Sequence, residues 1–338
     1  MNDYKTGDQE AMMSIITAQW VSQIARTLAE MRVPDLLHEA PRTPDEIAEA
    51  AGTHPETTFR LMRGAVGTGL AAYDDASGRF TATPLLDRLR TDAADSLRNL
   101  AIVWGAPGHW RLWGTLPDAV RTGKDQAVET LGQPLWEYFS DTPEEGELFT
   151  QGITELSLPI IREAVPEIAA GPGETIVDLG GATGAFVLSM LDGHPGTTGI
   201  LFELPHVVDS ARAHIEASSL HGRCTAQAGD FFESVPEADI YLLKFVLHDW
   251  DDTACARLLE RCRQAMRPGG RVVVVDMLIG PVSRPGPAAL MDVNMLTLQP
   301  GRERNHDDLD RLFTAAGLKR SNTTPLTPPY YIVEAVTS

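Results

Sequence analysis

Residues 175–184 read TIVDLGGATG, and the reading of the fold turns on them. Thr175, Ile176, Val177 and Leu179 form a β-branched, apolar run of the kind that fills a buried strand. A glycine turn follows at once and a helix-patterned stretch after it, which is the opening of a parallel βαβ unit. Glycines let the backbone bend tightly there and approach a ligand closely. A dinucleotide site would carry G-x-G-x-x-G, and Gly180, Gly181 and Gly184 do not have that spacing. Asp178, at the strand's end, can hold the loop or meet a positive group.

The same alternation continues outward. Residues 199–202, 240–247 and 272–275 read as further strands, and 330–336 as a last one. Between them, 184–191, 205–217 and 253–266 read as helices, the last stopped by Pro268-Gly269-Gly270. Residues 166–338 are therefore predicted to form a doubly wound α/β domain with a mostly parallel, Rossmann-like sheet, whose ligands bind at the carboxyl ends of the strands.

Acidic residues stand at those ends. Glu203 closes the second strand, nineteen residues past Gly184, where a carboxylate can accept both hydroxyls of a ribose. Asp230-Phe231 precedes the third strand, and an Asp–aromatic pair can bond an adenine amino group and stack its ring. Together they describe an adenosine site. The third strand then reads LKFVLHDWDD (243–252), with a lysine inside an apolar run and a histidine among acids at its end. A buried Lys244 without a partner is costly, so it is expected to meet the cofactor or a carboxylate.

Residues 1–165 are helix-patterned. Ile15, Ile16, Trp20, Ile24 and Leu28 recur at helical spacing. Thr43-Pro44 opens a short helix, a turn at 52–55 leads to a second helix through Arg63, and two short strands flank Asp74–Gly78. That order is a winged helix-turn-helix. Residues 1–150 nevertheless hold 23 acidic and 13 basic side chains, a net of −10, and a DNA reader needs several phosphate contacts. A structural, dimer-forming module is the better reading, and a winged-helix DNA regulator the remote one.

The whole chain of 338 residues carries a net charge of −19, spread along its length. Nucleic acid and anionic membrane both demand positive surface and are excluded as expected partners. No apolar run approaches the ~20 residues of a membrane span, and the polar start MNDYKTGDQE is no signal peptide. Three cysteines without C-x-x-C spacing point to a reduced, cytoplasmic protein. No His/Cys/Asp set has metal-ligand spacing, so no metal is expected.

DLGGATG, LFELPHVV, AGDFF, LKFVLHDWDD, RPGGRVVVVD and GRERNHDDLDRLFTAAGL, in that order, resemble the small-molecule O-methyltransferases of plant caffeate type and their bacterial natural-product relatives. The glycine loop matches the acidic-x-Gly-x-Gly-x-Gly pattern of class I methyltransferases, with Ala182 at the middle glycine. The resemblance implies S-adenosylmethionine as cofactor, S-adenosylhomocysteine as product, a homodimer and an aromatic acceptor. It puts the general base on His248, with Asp276 and Glu303 flanking and orienting it. Cofactor contacts fall on Ser157, Asp178, Gly180, Glu203, Asp230, Phe231 and Lys244. Acceptor contacts fall on Phe149 and Ile153, and Asn294 and Met295 are further candidates from the segment MDVNMLTLQ.

Three departures stand out. Glu203 replaces the usual Asp, Ala182 replaces a glycine, and Asp276 is shorter than the Glu common there. A histidine near carboxylates, partly buried, is expected to lose its proton near neutrality and to take one from a phenol, whose own pKa is ~10. Relatives that methylate carbon or nitrogen, or use the cofactor to hydroxylate, mark the alternative chemistry.

Overall fold

The computed structural model describes residues 6–338; the polar start before Thr6, which bears on the signal-peptide expectation, lies outside the described residues. By contact density the chain divides into two compact units. One runs to Trp110 and takes back Glu144–Leu156; the other comprises Arg111–Pro143 and Ser157–Ser338. This division gives 111–143 and 157–165 to the second unit, where sequence pattern alone draws one line at 165/166.

The first unit is built on the helix Thr6–Glu30. The short helix Pro44–Ala51 starts with a capping box: Glu46 N–H donates to Thr43 Oγ1 at 3.3 Å, and Thr43 N–H donates to the Glu46 carboxylate at 2.8 Å. Gly52 ends it in the left-handed region at φ 65°. The second helix, Pro55–Gly67, runs four residues beyond the expected Arg63. Strands β1 (Ala71–Asp74) and β2 (Arg79–Ala82) complete the wing as an antiparallel pair, with Tyr73 opposite Phe80. Leu28, Ile47, Met62, Phe80 and Leu86 form this unit's core. Leu28 therefore belongs inside its own unit and not to an outward apolar face. The outward face lies earlier on the helix, where Ile15 is 69% exposed and Trp20 62%.

The second unit holds a seven-stranded sheet. Its strands are β3 (Thr175–Leu179), β4 (Thr198–Glu203), β5 (Cys224–Ala228), β6 (Ala238–Lys244), β7 (Met266–Met277), β8 (Leu318–Pro325) and β9 (Tyr330–Thr337), in the order β5-β4-β3-β6-β7-β9-β8. β3 to β7 pair in parallel; β9 is antiparallel to both β7 and β8. Strand order reverses at β3, so the carboxyl ends of β3, β4 and β6 open at a topological switch point. Apolar layers lie on both faces, one around Tyr241, Leu243, Leu258 and Phe313, the other around Ile176, Met190, Leu242 and Ile332.

Three expectations need correction. β5 and β8 have no counterpart in the sequence pattern, because both are largely exposed edge strands with small polar sequences, CTAQA and LKRSNTTP. Pro268-Gly269-Gly270 does not end a helix: the helix stops at Ala265, and the triplet lies in the irregular stretch of β7 between the pairs Ala238–Met266 and Ile240–Arg271. Strand β6 stops at Lys244 rather than continuing to Leu247, because Phe245 turns into the left-handed region at φ 56°. Among the described residues no helix is long and apolar enough to cross a membrane.

Candidate active site

The break after Lys244 shapes the site. Past Phe245 the chain forms a single 3₁₀ turn, Leu247–Asp249, and His248 sits in that turn rather than on the strand. The Phe245 ring lies nearly parallel to the His248 imidazole at 5.7 Å, and Lys244 Nζ sits 4.4 Å from the centroid of the same ring. A left-handed aromatic residue costs on the order of 1–3 kcal/mol, and such strain concentrates at functional sites.

The GRER segment supplies the other wall. Leu278, just past β7, bridges in parallel to Arg304, which places Glu303 beside the end of β7. His248 Nδ1 donates to Glu303 Oε1 at 2.8 Å, and Glu303 is itself held by its N–H donating to Asp292 Oδ1 at 2.9 Å. The Asp276 carboxylate lies in the same buried cluster, with donor atoms of His248, Asp276 and Glu303 all within 4.8 Å of one another. Its Oδ1 has no hydrogen-bond partner among the described residues. Of the two acids expected to flank the ring, Glu303 hydrogen-bonds it, while the shorter Asp276 lies beside it.

Three residues of this wall escaped sequence reading. Asp249 Oδ1 lies 3.6 Å from His248 Nε2, although its place in the HDW triplet signalled it. The buried Arg304 donates to the Leu247 and Trp250 carbonyls at 2.6 and 2.8 Å, clamping both sides of the histidine turn. Gly301 packs so closely on this turn that a Cβ would strike the His248 carbonyl and the Asp249–Trp250 backbone.

Electrostatics follow from this crowding. Burial pushes the His248 imidazole down, but the charges of Asp249 and Glu303 and the Glu303 hydrogen bond override it, raising its pKa to about 10. That is well above the neutral value expected from sequence, because three carboxylates share one ring. Burial raises Asp276 to about 7 and Asp249 to about 6, each opposed by the imidazolium. Lys244, lowered by burial and partly restored by Asp178 and Asp276, falls to about 8. Its Nζ donates to the Ser157 hydroxyl at 2.7 Å, which brings together two of the residues expected at the cofactor.

The remaining strand ends carry the adenosine candidates. Asp178 Oδ2 accepts from Val187 N–H at 3.2 Å, tying the loop to the first turn of the next helix. Burial raises Asp178 to about 6 and Glu203 to about 7. Gly180 takes φ 67°, and a Cβ there would press on Val246 and Phe231; one at Gly181 would run into the Asp178 carboxylate and Leu201. These residues leave a cradle lined by acids, which suits a cationic adenosyl cofactor. Asp230 accepts from Phe232 N–H at 2.7 Å, while Phe231, Phe232 and Trp250 form an edge-to-face cluster.

Asn294 and Met295 stand on the helix Ala288–Leu298; Asn294 Oδ1 accepts from Trp113 Nε1 at 2.9 Å, and Met295 is buried. Phe149 and Ile153 belong to the first unit, where the Phe149 ring stacks on His109 at 5.9 Å. Ala182 adopts φ 53° at the family's middle-glycine position. Relieving that strain outweighs the added freedom of glycine in the unfolded chain. Ala182→Gly should therefore stabilise the protein by about 0.5 kcal/mol, read as a small rise in Tm; a fall would contradict the strain.

Comparisons with known proteins give the family. The sequence profile of the O-methyltransferase domain matches residues 113–319, and that of the O-methyltransferase dimerisation domain matches 13–92. The chain is 35% identical to the mitomycin biosynthesis 6-O-methyltransferase of Streptomyces lavendulae, over 96% of this chain and 94% of that one. It superposes on human N-acetylserotonin methyltransferase in complex with S-adenosylmethionine with a TM-score of 0.90, at 28% identity, covering 100% of both chains. On the neocarzinostatin-biosynthesis O-methyltransferase bound to S-adenosylmethionine and 2-hydroxy-5-methyl naphthoic acid, the TM-score is 0.81 at 28% identity, covering 94% and 96%. With both family models matched and a relative 35% identical over nearly the whole chain, the chain belongs to the O-methyltransferase family and is an S-adenosylmethionine-dependent O-methyltransferase.

Proposed function

We propose that this protein methylates a hydroxyl group on an aromatic natural product, with His248 as general base. The observation that carries the reading is the 2.8 Å bond from His248 Nδ1 to Glu303. It fixes the tautomer in which Nε2 is the basic nitrogen, as an Asp does in hydrolase triads. Bound S-adenosylmethionine supplies an electrophilic methyl group. Glu203 and Asp230 would hold its adenosine portion, and Asp178 the loop around it. A phenol is a weak nucleophile until its proton leaves; His248 accepts that proton, and Glu303 and Asp249 stabilise the resulting imidazolium. Phe149, Ile153, Asn294 and Met295 are the proposed acceptor contacts.

The test is incubation with isotopically labelled cofactor and a panel of phenols, hydroxyquinones and aromatic amines, read by mass spectrometry. Label on the oxygen of phenols supports the reading. Label confined to amines or ring carbons would replace it with one of the alternative chemistries.

The dimer is part of the same proposal. The dimerisation-domain match and the exposed Ile15, Ile16 and Trp20 support a homodimer through the first helix. An interface above ~1,000 Å² is expected. Ile16→Asp with Trp20→Asp should convert the dimer to a species near 36.7 kDa by light scattering. A wild-type protein already of that mass at micromolar concentration would contradict the proposal.

A further inference from the structure

We propose that the His248–Asp276–Glu303 cluster binds a transition-metal dication of the Zn²⁺ type, and that the ion inhibits the enzyme by occupying Nδ1 of its base. The two parts rest on different ground. Binding rests on the geometry alone; inhibition rests on the reading of His248 as general base.

One imidazole nitrogen and two carboxylates converge here, with donor atoms within 4.8 Å of one another. Asp276 is 5% exposed and Glu303 3%. Asp276 Oδ1 and Glu303 Oε2 are both buried without a hydrogen-bond partner among the described residues. Leaving such an acceptor unsatisfied is costly, and more so when it is charged. The imidazole cannot satisfy both, since its Nδ1 proton is already given to Glu303 Oε1. An ion with ligands at about 2.0–2.2 Å would engage both free oxygens together with Nδ1. A tetrahedral shell needs the widest donor pair to draw in to about 3.4 Å, which the side-chain torsions of His248, Asp276 and Glu303 must supply, because Arg304 and Gly301 hold the backbone of the histidine turn.

The surrounding charge favours a cation. Asp249, Asp276 and Glu303 face the ring, Lys244 is the nearby ammonium, and Tyr330 is a neutral phenol beside Glu303 and Asp276. Arg304 spends its guanidinium on the Leu247 and Trp250 carbonyls and on Asp252. From the imidazolium, binding releases the Nδ1 proton to solvent and leaves Nε2 as the N–H nitrogen. The metal-bound ring is then a donor toward the acceptor and has no lone pair to take a phenolic proton. No cofactor role follows from the site.

Titration calorimetry of the full-length protein with ZnCl₂ tests the site. One ion per chain is expected. Asp276→Asn and Glu303→Gln should each weaken binding by about tenfold or more, with Tm and S-adenosylhomocysteine affinity reporting that each variant is folded. Zn²⁺ bound equally well by both variants, or not at all by wild type at pH 8, overturns the site. In a parallel assay Zn²⁺ should abolish turnover, and a chelator should restore it. Binding that depends on Asp276 and Glu303 but leaves turnover untouched would sustain the site and instead overturn His248 as the base.

Discussion

Replacing His248 by Ala should slow methyl transfer to an ordinary phenol by roughly 10²–10⁴-fold, the usual worth of general acid–base catalysis. Affinity for S-adenosylmethionine should stay nearly intact, because its proposed contacts, Glu203 and Asp230, lie at other strand ends. The loss should shrink on acceptors with acidic hydroxyls, which arrive already ionised. Of the flanking acids, Glu303→Gln should cost more than Asp276→Asn, since only Glu303 bonds the ring. A His248→Ala enzyme as fast as wild type on an ordinary phenol would leave proximity and solvent to do the chemistry.

Glu203→Ala should weaken cofactor binding by roughly 10–100-fold, because hydrogen bonds to a charged acceptor contribute about 1.5–3 kcal/mol each. The carboxylate is fixed in place before any ligand arrives. Leu204 N–H donates to its Oε2 at 2.7 Å, and the Ala182 amide lies against it. Burial has raised it to about 7, so binding should also tighten as pH rises through neutrality and the group ionises. The sign follows from the ligand needing the charged acceptor, which is the deprotonated form. Calorimetry at pH 6 and pH 8 reads both effects. Equal affinity for wild type and variant would remove Glu203 from the cofactor site.

What the sequence made legible was local. TIVDLGGATG announced a strand, a turn and a helix within ten residues, and Thr43 followed by Pro44 announced a helix start. The edge strands β5 and β8 were hidden because an edge needs no apolar run: its exposed residues follow no buried periodicity. The turn at Phe245 was hidden for the opposite reason. Its sequence is that of a core strand, and only a left-handed backbone angle, which no aromatic residue advertises, separates Lys244 from the histidine turn.

The site was legible as a set of residues and not as an arrangement. HDW and GRER identified His248 and Glu303, but the pairing of Leu278 with Arg304 decides that Glu303, not Asp276, reaches Nδ1. Gly301 and Arg304 read as ordinary loop residues until the turn they hold is seen. The pKa of the base depends on the same long-range placement. Burial alone would lower it, and three converging carboxylates reverse the sign.

That reversal offers the most direct test. The dependence of kcat/KM on pH reports the free enzyme's essential base, and activity requires the neutral imidazole, so it should rise with pH. In wild type the rise should lie well on the alkaline side of an ordinary histidine, toward about 10. Glu303→Gln removes a charge and a hydrogen bond that favour the imidazolium, so the rise should move to lower pH even as the plateau rate falls. A profile that stays at the same pH in both enzymes would contradict the claim that His248, held by Glu303, is the group that takes the acceptor's proton.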